Sequence, residues 1–295
     1  MRIKVCAEPN SQYSPYNSLM PAIDHLKSEI QTPFTFSQSS LQDYADCARR
    51  FQLRYIEHLQ WPAVETAPAL ENERRQLEGQ QFHRMAQQYL IGLSSEKLAR
   101  MATSDNLSRW WDNFLTHGPH LDGFKLYPEL ALSAPIGSHR LIAKYDLVAV
   151  GADKALIFDW KTYRKRPKDE WMSARLQTKV YRALLVAAGA HLNGGKVFEP
   201  EQIEMSYWYA DFPTEPSKFS YTTKQHKRDW VSLFGLVSEI DAKQSFPMTD
   251  DEKKCAYCPY RSYCNRGVTA GVLDELETEL SVLDLDLEQI QEIEF

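Results

Sequence analysis

Asp159 and Lys161 stand two apart in Ile157-Phe158-Asp159-Trp160-Lys161, an apolar run that reads as a β-strand. Residues two apart on a strand share a face, so this run presents a carboxylate and an ammonium together. Asp146 lies in the preceding strand-like run, Ala143-Lys144-Tyr145-Asp146-Leu147-Val148. Two carboxylates from neighbouring strands form a hard oxygen site suited to Mg²⁺ or Mn²⁺. An isolated Asp-x-Lys is most often a surface ion pair, so the spacing alone leaves both readings open. A second chemistry comes from cysteine. Cys47 stands alone, whereas Cys255, Cys258 and Cys264 form a C-x₂-C-x₅-C cluster far down the chain. Structural zinc usually takes two short-spaced pairs. One distant thiolate with a tight trio suits the Cys₄ ligation of an iron–sulfur cluster better, with zinc as the competing occupant.

These residues need elements to carry them. A capping-box pattern at Ser39-Ser40-Leu41-Gln42 predicts a helix to about His58 with Cys47 inside it. Further helices are expected over about 70–91, carrying His83, and about 95–116, carrying Trp110 and Trp111. Strands are expected over 125–134, 139–150 and 154–162, the last two joined as a hairpin through Gly151-Ala152-Asp153. A helix over about 169–188 stops at Gly189. Strands at 203–210 and 219–222 and a helix over about 224–243 follow, and the cysteine trio falls in a loop-rich segment. The expected fold is α/β (α+β), a central mixed sheet flanked by helices.

The motifs in their order resemble the PD-(D/E)XK nuclease superfamily, in particular its RecB-like branch with an iron–sulfur cluster, which includes AddB-type helicase-nucleases and the CRISPR adaptation nucleases. The resemblance runs from Phe36 to Cys264. Ser39-x-Leu41-x₂-Tyr44-x₂-Cys47-x₂-Arg50-Phe51 is similar to the first cluster-ligand helix, with Ala48 where proline is frequent. Gly79-x₃-His83 is similar to the helical histidine motif, Asp146 with Asp159-x-Lys161 to the core motif, and Gln177-x₃-Tyr181 to the motif that follows. Ala143-Lys144 replaces the glycine usual just before the first aspartate.

The resemblance implies a restriction-endonuclease-like sheet whose N- and C-terminal segments are tied by a 4Fe–4S cluster on Cys47, Cys255, Cys258 and Cys264. It implies Mg²⁺ or Mn²⁺ held by Asp146, Asp159, the Trp160 carbonyl and His83, with Lys161 acting on the attacking water. Gln177 and Tyr181, one helical turn apart, would support the site. The implied activity is hydrolysis of DNA, as an exonuclease on single strands or ends. The alternative is a non-catalytic DNA-binding subunit beside a helicase or integrase. Glu129, on the strand before Asp146, is a candidate outer carboxylate. Arg164, Lys165, Arg166 and Lys168 are candidate phosphate contacts, and Trp160, Tyr163 and Trp171 could stack on bases or fill the core.

The composition agrees with an ordinary globular protein: 295 residues, 43% hydrophobic and 25% charged. No run approaches a membrane span, and Met1 to Gln12 lacks a signal-peptide stretch, so a cytoplasmic location is expected. Five cysteines, an odd number, argue against a disulfide framework and leave Cys6 spare. Net charge is −6, but residues 271–295 hold nine acids and no base, which leaves +3 on residues 1–270. A leucine stripe through 271–293 predicts an amphipathic helix that docks on the body, on a partner, or over the basic groove. Residues 1–35 read as an arm, 36–269 as the domain and 270–295 as an acidic tail. No G-x-x-x-x-G-K-[ST] occurs, so unwinding would fall to a helicase or CRISPR adaptation partner.

Overall fold

The computed structural model describes residues 29–61, 67–267 and 271. Cys6, most of the expected arm and the leucine stripe lie outside them. The described chain runs β1 (Thr35–Phe36), α1 (Gln38–Asp46), α2 (Ala48–Phe51), a π-helical turn (Gln52–Ile56), α3 (Ala67–Leu90), α4 (Ser95–Ala99) and α5 (Asp105–His117). Then come β2 (Lys125–Ile136), β3 (His139–Val150), β4 (Ala155–Lys161), α6 (Asp169–Ala174), α7 (Leu176–Ala188), β5 (Ile203–Tyr209), β6 (Phe212–Ser220) and α8 (Thr223–Asp241). Among the described residues no helix is long and apolar enough to cross a membrane.

The strands form one mixed sheet. β4 runs parallel to β5 and β1 parallel to β3, while β2–β3, β3–β4 and β5–β6 are antiparallel. β2 lines one edge of β3 along its length. The other edge is shared, because β1 pairs at Arg140 and Leu141 and β4 pairs only from Leu147 onward. Between those two ladders the β3 edge has no strand partner among the described residues, and Asp146 sits at that gap.

Each face of the sheet buries its own apolar layer. On one side Val148, Ile157, Met205 and Tyr207 meet Val180, Tyr181 and Leu184 of α7 and Leu233, Val237 and Ile240 of α8. On the other, Leu147, Phe158, Trp160 and Trp208 meet Phe82 and Met85 of α3 and Trp110, Trp111 and Phe114 of α5. Trp160 is therefore core: its ring packs edge-on against Phe114 and stacks with Phe158, which removes it from the candidates for base stacking. Tyr163 and Trp171 are partly buried against the first layer.

Several expected boundaries are corrected. The first helix starts at Gln38, capped by Ser37, whose hydroxyl accepts from the Ser40 N–H while the Ser40 hydroxyl accepts from the Ser37 N–H. That reciprocal pair pre-empts a cap at Ser39. Cys47 is not inside a helix. Its backbone is extended (φ −161°, ψ 108°) and separates α1 from α2. The helix expected over 95–116 is two, because Ser104 caps a fresh start by accepting from the Leu107 N–H. The one expected over 169–188 is broken at Arg175, whose ψ of 147° is non-helical. The last strand begins at Phe212, not Phe219. Pro213 and Pro216 are tolerated because β6 is an edge strand, where a missing N–H interrupts no inner ladder. Thr35, assigned to the arm by sequence, already belongs to the sheet.

Candidate active site

The β2–β3 ladder pairs Pro128 with Leu147 and Leu130 with Tyr145, so Glu129 falls opposite Asp146 on an omitted rung. The β3–β4 ladder stops at Leu147 with Phe158, one rung short of Asp146 with Asp159, and β4–β5 pairs Asp159 with Tyr207. Glu129, Asp146, Asp159 and Tyr207 thus occupy one row across four strands, and the regular pairing lapses where the carboxylates begin. Glu129 has a left-handed backbone (φ 55°), costly for a side chain with a Cβ and characteristic of sites that store strain. Its carboxylate lies 2.7 Å from Lys144 Nζ. Tyr145 and Val148, three apart, pack in the same layer, so β3 slips its alternation at Asp146. The Trp160 N–H donates to Asp146 Oδ2 at 2.7 Å, a side-chain substitute for the lost rung.

Helix α3 brings His83 to the row, with Nδ1 3.1 Å from Asp146 Oδ1. Burial lowers the basicity of His83, but the Asp146 carboxylate, reinforced by Asp159, outweighs it and holds the imidazole above its ordinary pKa. Two features seat the helix. Arg75 donates to the Thr162 carbonyl, next to Lys161, and its guanidinium lies over the Trp110 ring. Gly79 faces Thr162 so closely that a Cβ there would sit 3.1 Å from Oγ1. The glycine of the Gly79-x₃-His83 pattern thus lies where α3 comes close to the Thr162 side chain. Gly79→Leu is expected to push α3 off β4, destabilise the protein by about 1–3 kcal/mol and separate His83 from Asp146. A thermal melt beside an activity assay checks this, and an unchanged melt would refute the close approach.

Helix α7 supplies the other wall. Gln177 Nε2 donates to Asp159 Oδ1 at 2.7 Å, and its Oε1 accepts from Lys161 Nζ at 3.1 Å. Lys161 Nζ also lies 2.9 Å from Asp159 Oδ2. The buried carboxylate and ammonium are thus bridged by one amide. The Tyr181 hydroxyl donates to the Lys144 carbonyl at 2.7 Å and receives Gln177 Nε2 at 3.2 Å. Sequence reasoning missed Tyr207, whose hydroxyl pairs with Thr178 at 2.7 Å and whose ring flanks Lys161 Nζ, as does that of Tyr163. Burial raises the Tyr207 phenol far above its ordinary range, so it stays neutral. Its signal, the aromatic run Tyr207-Trp208-Tyr209, carries no hint of which residue it opposes.

The model of the PD-(D/E)XK nuclease superfamily matches residues 35–265, nearly all of the described fold. The chain belongs to the PD-(D/E)XK nuclease superfamily. Members of this superfamily typically use Mg²⁺ or Mn²⁺ and hydrolyse nucleic acid. Among solved structures the chain is similar to SSO0001, with 13% identity over 82% of this chain and 91% of that one and a TM-score of 0.37. It is also similar to a candidate exonuclease from Eubacterium rectale, with 10% identity over 73% of this chain and 84% of that one and a TM-score of 0.41. No curated protein matches the chain.

The basic segment after β4 is partly committed to the chain's own fold. Arg164 pairs with Glu71 at 2.8 Å. Arg166 pairs with Asp169 at 2.7 Å, donates to the Glu215 carbonyl and lies over the Tyr209 ring. Lys168 precedes α6 and is exposed, and Lys165 lies between the two arginines.

The four cysteines of the cluster pattern line one cavity of about 20 Å³ beside the buried Arg50. None is in a disulfide. Cys47 reaches this cavity from the extended break between α1 and α2. Ordinary contacts already join the two segments. Tyr260 donates to the Leu59 carbonyl at 2.8 Å, the Trp61 indole to Ser262 at 2.8 Å, and Lys254 Nζ lies 3.3 Å from Asp46. Burial pushes the Cys258 thiol up to about 12 and Cys264 up to about 11. Arg50, Arg49 and Arg266 oppose those shifts, and the buried Arg49 Nε has no hydrogen-bond partner among the described residues. Neither here nor at the carboxylate row are three Cys, His, Asp or Glu side chains grouped closely enough to hold a metal ion as they stand, among the described residues.

Proposed function

We propose that the chain is a metal-dependent deoxyribonuclease of the RecB-like branch, over residues 36–269, acting as an exonuclease on single strands or DNA ends in repair, CRISPR adaptation or phage defence. The observation that carries this reading is the meeting of Asp146 and Asp159 at an interrupted rung, with Lys161 2.9 Å from Asp159 and His83 3.1 Å from Asp146. The donor set fits a divalent ion: two carboxylates, an imidazole and the Trp160 carbonyl. When bound, Mg²⁺ or Mn²⁺ lowers the pKa of water and neutralises charge on the phosphate.

The chain's own residues do the rest. Lys161 orients the attacking water and faces the developing negative charge. Gln177 fixes the distance between Asp159 and Lys161, and Tyr181 braces the β3 backbone before Asp146. Lys165 and Lys168 contact phosphates, while Arg164 and Arg166 shape the loop that carries them.

The second part of the proposal is a 4Fe–4S cluster on Cys47, Cys255, Cys258 and Cys264. Four thiols lining one cavity supply the donors, and the arginines around it offset thiolate charge. Its role is to tie the N-terminal helices to the C-terminal segment. A helicase or CRISPR adaptation partner would supply unwound DNA.

The deciding assay uses labelled single-stranded, duplex and flap DNA, with Mg²⁺, Mn²⁺ or EDTA. The expected result is metal-dependent shortening of single strands or ends. DNA binding with no cleavage in any metal would instead assign the chain to a non-catalytic DNA-binding subunit.

A further inference from the structure

Helix α7 has a second working side. Gln177 and Lys179 are about 200° apart around its axis, so the face that reaches Asp159 and the face carrying Lys179 are opposed. Behind α7, against the edge strand β6 and helix α8, lies a cavity of about 540 Å³. That volume falls in the range typical of small-ligand sites. Lys179, Arg182, Lys218 and Arg228 line it, with Asp229 the one acid in the lining, so the wall has a formal charge of +3. The whole chain carries −6.

The four cations are not equivalent. Arg182 is buried and fixed: Nε donates to the Thr178 carbonyl at 3.0 Å, Nη1 to the Ser220 carbonyl at 3.1 Å, and the guanidinium lies 4.4 Å from the Tyr221 ring centre. It also takes up Asp229, at 3.4 Å. Lys179, Lys218 and Arg228 have no carboxylate within ion-pair distance among the described residues. Three unneutralised cations thus converge on one cavity already floored by a fixed guanidinium. Arg50, Arg54, Arg74, Arg109 and Arg166, by contrast, are each paired with an acid. Like charges gathered without partners repel one another and favour a bound anion. Ser173, Ser220 and Gln225 add hydrogen-bonding groups beside them.

The geometry points to a binding site for a phosphate-bearing ligand of nucleotide size in this cavity, separate from the carboxylate row and sharing only α7 with it. The ligand is a free nucleotide or one nucleotide unit of a strand, since both offer the same phosphate chemistry. It does not depend on the nuclease reading.

Binding of ATP, inorganic tripolyphosphate and a short labelled oligothymidylate is measured with EDTA present, so that no cleavage occurs. Wild type is compared with Lys218→Glu/Arg228→Glu, two exposed positions, and with the neutral pair Lys218→Gln/Arg228→Gln. Each neutralised cation is expected to weaken tripolyphosphate binding about tenfold, and charge reversal to weaken it further. Loss of ATP and tripolyphosphate binding with oligothymidylate unaffected identifies a free nucleotide as the ligand. Parallel loss of oligothymidylate binding identifies a strand. If wild type binds none of the three, or if the charge-reversed protein binds all three as wild type does, the site does not exist. An Asp159→Asn protein is expected to keep this binding whether or not it cleaves DNA, which separates the two readings.

Discussion

Lys161→Ala is expected to lower the cleavage rate by a factor on the order of 10²–10³ or more while leaving the fold intact. The side chain is buried, 2.9 Å from Asp159 and 3.1 Å from Gln177, and its ammonium sits between the rings of Tyr163 and Tyr207. Truncation at Lys161 leaves Asp159 with the Gln177 amide at 2.7 Å, so the carboxylate keeps a partner. The reverse change is harsher on stability. Removing Asp159 would strand a buried ammonium, a loss of about 3–5 kcal/mol in comparable sites. Asp159→Asn keeps the shape and is the better test of the carboxylate. Cleavage should fall by a similar factor in both variants, each still folded but with a lowered melting temperature, because either change leaves one buried charge of the pair without its counter-charge. Wild-type cleavage by purified Lys161→Ala protein would sink the assignment of this row as the active site.

Protein purified without oxygen is expected to be brown and to hold about four irons per chain. Cys258→Ser should bleach it and lower its melting temperature. Cys258 is buried beside Leu53, Tyr260 and Tyr263, where a thiolate without a metal is disfavoured. A cluster joining Cys47 to Cys255 closes a loop of about 200 residues, worth on the order of 5 kcal/mol by the loop-entropy model used for disulfides. That is comparable to the net stability of many domains. The ordinary contacts between the two segments reduce the measured effect, because they hold the ends together without the cluster. Iron and zinc analysis with the visible spectrum decides the point. Stoichiometric zinc without iron in anaerobic protein would overturn the cluster, and so would a Cys258→Ser protein with unchanged iron and colour.

The sequence by itself determined the local pieces of chemistry. Asp159 and Lys161 share a strand face because strands alternate every second residue, and the structure joins them at 2.9 Å. Gln177 and Tyr181 share a helix face because a helical turn takes nearly four residues, and they meet at 3.2 Å. The cysteine trio was legible from its spacing alone. Only the tertiary structure decided which strands lie side by side and in what register. It set Glu129, Asp146, Asp159 and Tyr207 in one row and left a gap in the β3 edge at Asp146. No pattern within one strand encodes a partner's register. Register follows from how both faces of the sheet pack and from the strained backbone at Glu129. The breaks at Cys47 and Arg175 were hidden for the same reason. Their neighbours favour helix locally, and beside Cys47 the Arg49 N–H is bonded to the distant Pro247 carbonyl. Local periodicity is written in neighbouring residues. The site, the cysteine-lined cavity and the basic cavity behind α7 arise where segments far apart in the chain are packed together.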